Sequence, residues 1–263
     1  MSYDPYNQMI FWSCKINNEV NVIRVDGTTV GTIIDGPNQK PRNLALMPVK
    51  GLIFWTNMLK RYPKLMQARI DGSNQQELVT GLYRPGPIAA DAQSNRIYWF
   101  DSRLKAIEYF EIDTGTRHRL ITESIENVGG LTLDGYFVYW VRNKFIERAD
   151  KQTGENNQTL LKSNGLLTDV LTVKKPQYSS QPCSNMKGLC SHFCILTHVR
   201  TTRCSCPPNM ILDNDEHNCI EPPTCAPDHF NCLSGYIACI PSEWVCDGNS
   251  ECSDGSDELG CSI

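Results

Sequence analysis

The chain has 263 residues, 40% of them hydrophobic, with 25 basic and 29 acidic side chains and a formal net charge of −4. This length and composition suffice for one or two domains with a buried core, and the near balance of charge argues against a general nucleic-acid binder. No segment approaches the roughly 18 consecutive apolar residues that span a bilayer. The first residues lack the basic segment and apolar run of a secretory signal.

Cysteine and charge divide the chain into three parts. Only Cys14 lies in the first 182 residues, and the other 12 cysteines fall between Cys183 and Cys261. Residues 1–182 carry 22 basic and 18 acidic side chains, whereas residues 225–263 carry seven acidic side chains and no Lys or Arg. Such a concentration of negative charge favours a bound counter-ion. Proline-rich joints at residues 181–182 and 221–223 mark the two boundaries.

The first 182 residues repeat one aromatic phrase four times, Phe-Trp or Tyr-Trp. Its tryptophans are spaced by 43, 44 and 41 residues: Trp12, Trp55, Trp99 and Trp140. A turn follows each of them: Asp26-Gly27, Asp71-Gly72, Asp113-Thr114-Gly115 and Thr153-Gly154. A period of about 40–45 residues with short strands is typical of a β-propeller blade. We therefore predict an all-β fold in which these tryptophans pack between blades rather than contact a ligand.

The repeats resemble the YWTD propellers of the low-density lipoprotein receptor family, which are named for this phrase and have six blades. Four phrases lie in residues 1–178, so the resemblance implies an incomplete ring. As an isolated chain, we expect an open arc with unpaired strand edges and a longer protein upstream. Only the third phrase keeps the final aspartate, Asp101. We therefore expect weaker polar contacts between blades at the other three copies.

The first six of the later cysteines lie in residues 183–219 and allow 15 pairings. Zinc binding is the main alternative to disulfides, but Cys204-x-Cys206 suits a zinc site poorly, and the cysteine density is that of a small secreted scaffold. The spacing is similar to that of an EGF-like module. This resemblance implies the disulfides Cys183–Cys194, Cys190–Cys204 and Cys206–Cys219. A calcium-binding EGF-like module has acidic residues where Gln181-Pro182 stands here, so we expect this module to brace the propeller.

The last six cysteines lie in residues 225–261 and enclose an acidic loop. Closely spaced carboxylates repel one another at neutral pH, and Ca²⁺ takes six or more oxygen ligands. A solvated acidic loop is the alternative. The segment resembles a low-density lipoprotein receptor class A module, which implies the disulfides Cys225–Cys239, Cys232–Cys252 and Cys246–Cys261. It also implies one Ca²⁺ held by the side chains of Asp247, Glu251, Asp257 and Glu258 and by the backbone oxygens of Trp244 and Asn249.

The order of propeller, EGF-like module and class A module resembles the Wnt co-receptors of this family over essentially the whole chain. Similar stretches include Cys204-Ser205-Cys206-Pro207 and residues 221–225. The resemblance implies an extracellular fragment of a single-pass cell-surface receptor that binds Wnt and Dickkopf-type proteins, acts with Frizzled and signals to β-catenin. The membrane span of such a receptor lies outside this chain, and we expect no nucleic-acid partner.

An endocytic receptor for lipoproteins or yolk proteins is the alternative, since it shares every module type. In its lipoprotein-binding class A modules a ligand lysine is captured between the tryptophan and an acidic ring. In this chain the neutral Asn249 stands where those modules have one of the acidic residues of the ring. We therefore expect weaker binding of a ligand lysine. An enzyme is a more distant alternative, because no nucleophile–base pairing is readable.

Several single features have two readings. Asn157-Gln158-Thr159 is the one N-glycosylation sequon. We expect Cys14 to be a buried thiol rather than an intermolecular disulfide. The basic run in residues 60–64 is either a solvated loop or a contact for an acidic partner. The five histidines are scattered and are read as surface residues, with an acid-release switch as the alternative: His118, His192, His198, His217 and His229.

Overall fold

The computed structural model describes residues 1–27, 29–122, 125–172, 190–196, 202–207, 210–222, 225–232, 239–252, 255–259 and 261. These residues form strands and three single-turn 3₁₀ helices at Pro48–Lys50, Ser242–Trp244 and Ser256–Glu258. Within the described ranges no helix is long and apolar enough to cross a membrane. The predicted all-β class is confirmed.

Four antiparallel sheets of four strands follow one another along residues 1–162. The first contains β1 Ser2–Asp4, β2 Met9–Cys14, β3 Glu19–Arg24 and β4 Thr29–Ile34. The second contains β5 Pro41–Met47, β6 Leu52–Asn57, β7 Lys64–Arg69 and β8 Gln76–Val79. The third contains β9 Pro85–Asp91, β10 Arg96–Asp101, β11 Ala106–Glu111 and β12 Thr116–Ile121. The fourth contains β13 Val128–Leu133, β14 Phe137–Arg142, β15 Phe145–Asp150 and β16 Gln158–Lys162.

Each sheet has the meander expected of a propeller blade, and consecutive sheets pack face to face through their first strands. Three tryptophans of the repeated phrase fill the interfaces. Trp55 lies in the core between the first and second sheets, Trp99 between the second and third, and Trp140 between the third and fourth, all fully buried. Trp12 is half-buried, because the first sheet is at the end of the row. The predicted packing role is therefore confirmed for three tryptophans and only partial for Trp12.

The glycine turns of the second and fourth sheets are places where two backbones touch. Gly72 has φ +87°, and a Cβ built on it would lie 2.0 Å from the carbonyl oxygen of Ile33 at the end of the first sheet. Gly154 has φ +75° and would place a Cβ 2.1 Å from the carbonyl oxygen of Leu120. Only glycine fits such a left-handed position against a neighbouring backbone. Gly115, in the third sheet, has φ +69° but nothing within 4 Å.

Polar contacts fix the connections between sheets. The buried carboxylate of Asp101 accepts hydrogen bonds from the backbone N–H groups of Tyr83 (3.0 Å), Arg84 (3.1 Å) and Arg103 (3.0 Å). Asn57 is the equivalent residue of the second sheet, and its side-chain oxygen accepts a 2.7 Å hydrogen bond from Lys40 N–H. The expected weakening of this contact is therefore small in the second sheet, because an amide oxygen accepts as a carboxylate oxygen does.

The corresponding residues of the other two sheets behave differently. Arg142 of the fourth sheet forms an ion pair with Glu147 of its own sheet. Cys14 of the first sheet is a free cysteine and is half-buried, so it is less buried than expected. Its neighbour Ser13 instead contacts the second sheet, through a hydrogen bond from its hydroxyl to the carbonyl of Arg42.

The cysteine-rich region forms three two-stranded ribbons. They pair β17 Phe193–Leu196 with β18 Thr202–Ser205, β19 Ile211–Leu212 with β20 Cys219–Ile220, and β21 His229–Asn231 with β22 Cys239–Pro241. Five disulfides join them: Cys190–Cys204, Cys206–Cys219, Cys225–Cys239, Cys232–Cys252 and Cys246–Cys261. All five are pairs that the resemblance implies. The sixth, Cys183–Cys194, involves Cys183, which lies outside the described residues.

Candidate binding surfaces and calcium site

The first cysteine module, residues 183–219, packs on the first two sheets. Its described part places Phe193 and Ile195, which are 0% and 4% exposed, in the same core as residues of the first two sheets. Gly51 lies next to this contact, since a Cβ built on it would be 3.6 Å from the Ile195 methyl carbon, an ordinary van der Waals distance. Burying two large apolar side chains outside their own module contributes about 1.5–3 kcal/mol for each. The contact supports the expected bracing role.

Hydrogen bonds surround this apolar contact. Asn7 bonds both backbone groups of Cys194, accepting from its N–H (3.1 Å) and donating to its carbonyl (3.4 Å). Arg24 donates to the carbonyl oxygens of Ser191 and His192. The hydroxyl of Ser205 donates to the carboxylate of Asp71. Sequence reasoning missed these residues, because each forms its contact with a partner more than 130 residues away.

The acidic loop of the last module is organised around Asp257. One carboxylate oxygen of this fully buried residue accepts hydrogen bonds from the N–H groups of Glu251 (2.7 Å) and Cys252 (3.2 Å). Its backbone carbonyl accepts from Cys246 N–H at 3.1 Å. Glu258 accepts a 3.2 Å hydrogen bond from Gly248 N–H. The loop therefore folds back on itself and brings its carboxylates to one side.

The remaining expected ligands flank this loop. Asp247 is exposed and accepts a 2.8 Å hydrogen bond from Asn249 N–H. Trp244 ends a 3₁₀ turn and is 43% exposed. Among the described residues, no three carboxylate, imidazole or thiol groups converge closely enough to hold a metal ion as they stand. The structure thus gathers the expected ligands on one loop without closing them into a cage.

The protonation of these carboxylates reflects their crowding. The pKa of Glu251 is raised by burial and then by the negative charges of Asp247, Asp257 and Glu258. For Asp257, burial alone would raise the pKa, but the hydrogen bonds from Glu251 and Cys252 outweigh it and lower the pKa. The pKa values of the two carboxyls thus shift in opposite directions, because burial and three neighbouring negative charges dominate at Glu251, whereas backbone hydrogen bonds dominate at Asp257.

Two buried carboxylate oxygens show whether the loop is suited to a cation. Glu251 Oε2 and Asp257 Oδ1 are buried and have no hydrogen-bond partner. Buried carboxylate oxygens without a donor are costly, and a cation would compensate both while relieving the repulsion that raises the pKa of Glu251. The set contains only oxygen donors, which suits a hard cation such as Ca²⁺. The residues therefore fit the expected ion.

The other predicted features are dispersed. Lys60, Arg61 and Asn157 are exposed. The described histidines are exposed or half-buried: His118, His192, His217 and His229. His198 lies outside the described residues. These groups do not form one site.

One buried ion pair was not expected from the sequence. Lys151 Nζ of the fourth sheet lies 2.5 Å from Asp91 Oδ2 of the third, and their side chains are 4% and 7% exposed. The hydroxyl of Tyr98 donates to the carbonyl of Lys151 at 3.1 Å. Asp91 stands eight residues before Trp99, as Asp4 does before Trp12, but its lysine partner lies 60 residues later in the chain.

Comparison with solved structures agrees with this architecture. The structure of a nidogen/laminin complex contains a chain that matches with a TM-score of 0.57 and 22% identity, covering 64% of this chain and 65% of that one. At this identity the similarity concerns the fold alone. The class of protein defined by the described sheets and cysteine modules is thus a propeller-type all-β protein with small disulfide-rich modules.

Sequence comparisons are more specific. Residues 223–261 match the family "Low-density lipoprotein receptor domain class A". The whole chain is 37% identical, over 269 aligned residues, to low-density lipoprotein receptor-related protein 5 of mouse and of human. The chain spans 17% of the length of these curated relatives. The chain is thus similar along its whole length to a low-density lipoprotein receptor-related protein, and in residues 223–261 to the class A domain of this receptor family.

Proposed function

We propose that this chain is an extracellular ligand-binding segment of a Wnt co-receptor, which acts with Frizzled and binds Wnt and Dickkopf-type proteins. The observation that carries the proposal is the similarity to low-density lipoprotein receptor-related protein 5, which runs through all parts of the chain. The receptor would be a single-pass protein at the cell surface. Disulfides in the cysteine-rich region fit that oxidising location.

Each part has a distinct role in this proposal. The sheets of residues 1–178 offer the ligand surface; residues 173–178 lie outside the described ranges. The EGF-like module, residues 183–219, braces them through Phe193 and Ile195. The class A module, residues 225–261, is a calcium-dependent cap. Asn157 is exposed in a turn, where an N-linked glycan is accessible to solvent.

Calcium would be held by the side chains of Asp247, Glu251, Asp257 and Glu258 with the backbone oxygens of Trp244 and Asn249. Bound Ca²⁺ would neutralise the crowded carboxylates of a module that has too few residues for a large core. In this arrangement Asp257 contributes its unbonded oxygen to the ion and keeps its other oxygen on the backbone of residues 251 and 252.

The decisive experiment measures binding of Wnt and Dickkopf proteins to the whole receptor ectodomain that contains this segment, in Ca²⁺ and in EDTA. A lipoprotein-receptor ligand is measured in parallel. The proposal expects Wnt or Dickkopf binding that weakens when the exposed connections of the sheets are changed, for example by Tyr83→Ala. Tyr136→Ala is the control, since this tyrosine is also exposed but lies at the other end of the sheets.

The endocytic alternative predicts a different result. Trp244 and Asp247 are both exposed, so they remain accessible for a ligand lysine. Calcium-dependent binding of the lipoprotein ligand alone, abolished by Trp244→Ala, would contradict the co-receptor proposal and favour an endocytic receptor.

A further inference from the structure

The connections between strands lie at two opposite ends of the four sheets. In each antiparallel meander, the first and third turns lie at one end, and the second turn lies at the other end with the connection to the next sheet. Backbone hydrogen bonds tie this second set together, since Met58 N–H donates to Lys40 and Ser102 N–H donates to Arg84. We name this set, among the described residues, the basic end: residues 15–18, 35–40, 58–63, 80–84, 102–105, 122, 125–127 and 143–144. The opposite end comprises residues 5–8, 25–27, 48–51, 70–75, 92–95, 112–115, 134–136 and 151–157.

Charge is distributed unequally between the two ends. The described segments of the basic end contain eight Lys or Arg and two Asp or Glu, whereas those of the opposite end contain two and five. The chain as a whole has a net charge of −4, so the basic end does not follow from a basic composition. A local excess of one sign creates a potential that attracts ligands of the other sign.

The cations of the basic end are available for a ligand. Lys60, Arg61, Arg84 and Arg103 are exposed, and in the described ranges none of them lies within salt-bridge distance of a carboxylate. They occupy three consecutive connections, those at 58–63, 80–84 and 102–105. Asp101 accepts hydrogen bonds from the backbone N–H groups of both Arg84 and Arg103, so one carboxylate fixes the two neighbouring connections that carry these arginines.

The first cysteine module covers the opposite end and not the basic end. Its described polar and backbone contacts include Asn7, Gly51 and Asp71 in the turns of the opposite end and Arg24, the last residue of β3 next to that end. The part of the molecule that the structure describes therefore has its acidic end covered and its basic end accessible to large ligands.

The chemistry favours an extended, sulfated ligand. The disulfides indicate an extracellular compartment, where polyanions are sulfated polysaccharides or acidic proteins. The centre of a protein–protein interface is more apolar than its rim. The exposed large apolar side chains of the basic end are Ile16, Tyr62 and Tyr83, each on a different connection. Spaced cations without such a centre suit a chain of repeated charges that reaches from one connection to the next.

We propose that the basic end binds a sulfated polysaccharide of the cell surface or matrix. Lys60, Arg61, Arg84 and Arg103 pair with sulfate groups along the chain, and Arg favours such oxyanions through its planar fork of donors. This goes beyond the proposed co-receptor function, since it concerns a second ligand and requires neither Wnt nor Dickkopf.

Heparin affinity of the full 263-residue chain, measured in about 0.15 M salt, tests the proposal. Lys60→Glu and Arg84→Glu are each expected to lower the affinity by about fivefold, the scale of one exposed ion pair. The matched control is Lys50→Glu, the same charge reversal at an exposed position of the opposite end, which should change the affinity by less than about twofold. Circular dichroism of each variant verifies that the sheets remain folded.

Two further probes separate the sources of negative charge. Chemically desulfated heparin is expected not to bind, and poly-glutamate is expected to bind more weakly than heparin. The proposal is overturned if heparin fails to bind, if Lys50→Glu weakens binding as much as Lys60→Glu does, or if desulfated heparin binds equally well. Preferential binding of poly-glutamate would assign the basic end to an acidic protein instead.

Discussion

Lys151 and Asp91 form a buried ion pair, Nζ to Oδ2 2.5 Å, that joins the fourth sheet to the third. Lys151 also donates to the carbonyl of Asp134 at 3.3 Å. Burial alone would raise the pKa of Asp91, but Lys151 and Ser94 more than offset this and lower it. Asp4 holds the equivalent place in the first sheet without a cation, and burial raises its pKa. The same repeat position thus has opposite acid–base behaviour in two sheets.

Replacing the lysine of this pair should destabilise the last two sheets. Lys151→Met leaves the Asp91 carboxylate buried without its partner, at a cost of about 3–5 kcal/mol. Urea denaturation at pH 7 measures the effect, with Lys144→Met as the control because Lys144 is an exposed lysine of the same sheet. Equal stability of the two variants would show that the pair contributes nothing.

The same pair predicts a dependence on acid. A lowered folded-state pKa means that the contribution of Asp91 is present above the unfolded pKa of about 4 and is lost as pH falls through the folded value. Stability of the last two sheets should therefore decline below about pH 4. In Lys151→Met the decline in stability that comes from the ion pair should disappear. An unchanged dependence of stability on pH would show that the Lys151–Asp91 pair does not cause it.

Glycine turns offer a matched pair of substitutions. Gly115→Ala places a side chain at φ +69° in open space, which costs about 1–2 kcal/mol. Gly72→Ala has the same backbone cost, and its Cβ meets the carbonyl of Ile33 at 2.0 Å, which adds about 1–3 kcal/mol of overpacking. Thermal denaturation of the two variants compares them directly. A smaller loss for Gly72→Ala would mean that the first two sheets separate easily.

Local patterns in the sequence were sufficient to predict the sheets and the tryptophan packing between them, but not the polar and backbone contacts that join one sheet to the next. The phrase around Trp99 recurs at a fixed period, and its burial follows because every blade needs a neighbour. The sequence did not predict that Asn57 replaces the missing aspartate. Its side chain can accept the hydrogen bond only because Lys40 N–H lies next to it in the fold. Likewise, the glycine of Asp71-Gly72 reads as a turn residue, and nothing local shows that Ile33 lies against it.

The acidic loop was more predictable than the joint with the first cysteine module. Cysteine spacing and carboxylate density are local signals, so Glu251 and Asp257 could be named as a pair whose charges interact. Phe193 and Ile195 lie in a short strand of ordinary composition. Their burial comes from docking on another part of the chain, for which a single sequence offers no periodic signal.

His192 should make the joint between the first cysteine module and the sheets sensitive to pH. Burial, and then the positive charge of Arg24, lowers the pKa of His192. A lowered folded-state value means that docking is favoured above the ordinary histidine pKa of about 6.5 and is weakened as pH falls through the folded value. Hydrogen exchange of residues 190–196 should therefore be faster at pH 5 than at pH 7.4, after correction for intrinsic rates.

The matching variants isolate this histidine. His192→Gln should remove the pH-dependent part of the exchange, because glutamine does not titrate. His118→Gln lies on the third sheet, away from the joint, and should leave it intact. If both variants retain the acid response, another group controls the joint.

Calcium should stabilise the class A module, and the loop carboxylates should determine how strongly. A free Ca²⁺ concentration of 100 times the Kd raises the free energy of unfolding by about 2.7 kcal/mol if only the folded module binds. EDTA should remove this increment. Asp257→Asn and Glu251→Gln should each lower the Ca²⁺ affinity by at least about tenfold, because the charge of the ligand set controls affinity. Calorimetric titration of the full chain measures it.

Asp228→Asn is the control for this last comparison. Asp228 belongs to the same module but bonds His229 rather than the acidic loop, so its loss changes the net charge equally without removing a ligand. A normal Ca²⁺ affinity in Asp228→Asn, together with weak binding in the two loop variants, would assign the ion to the oxygens of Glu251 and Asp257 that lack hydrogen-bond partners. Equal losses in all three variants would instead indicate that the negative charge of the module attracts Ca²⁺ without a defined site, because a diffuse field does not distinguish the positions of its charges.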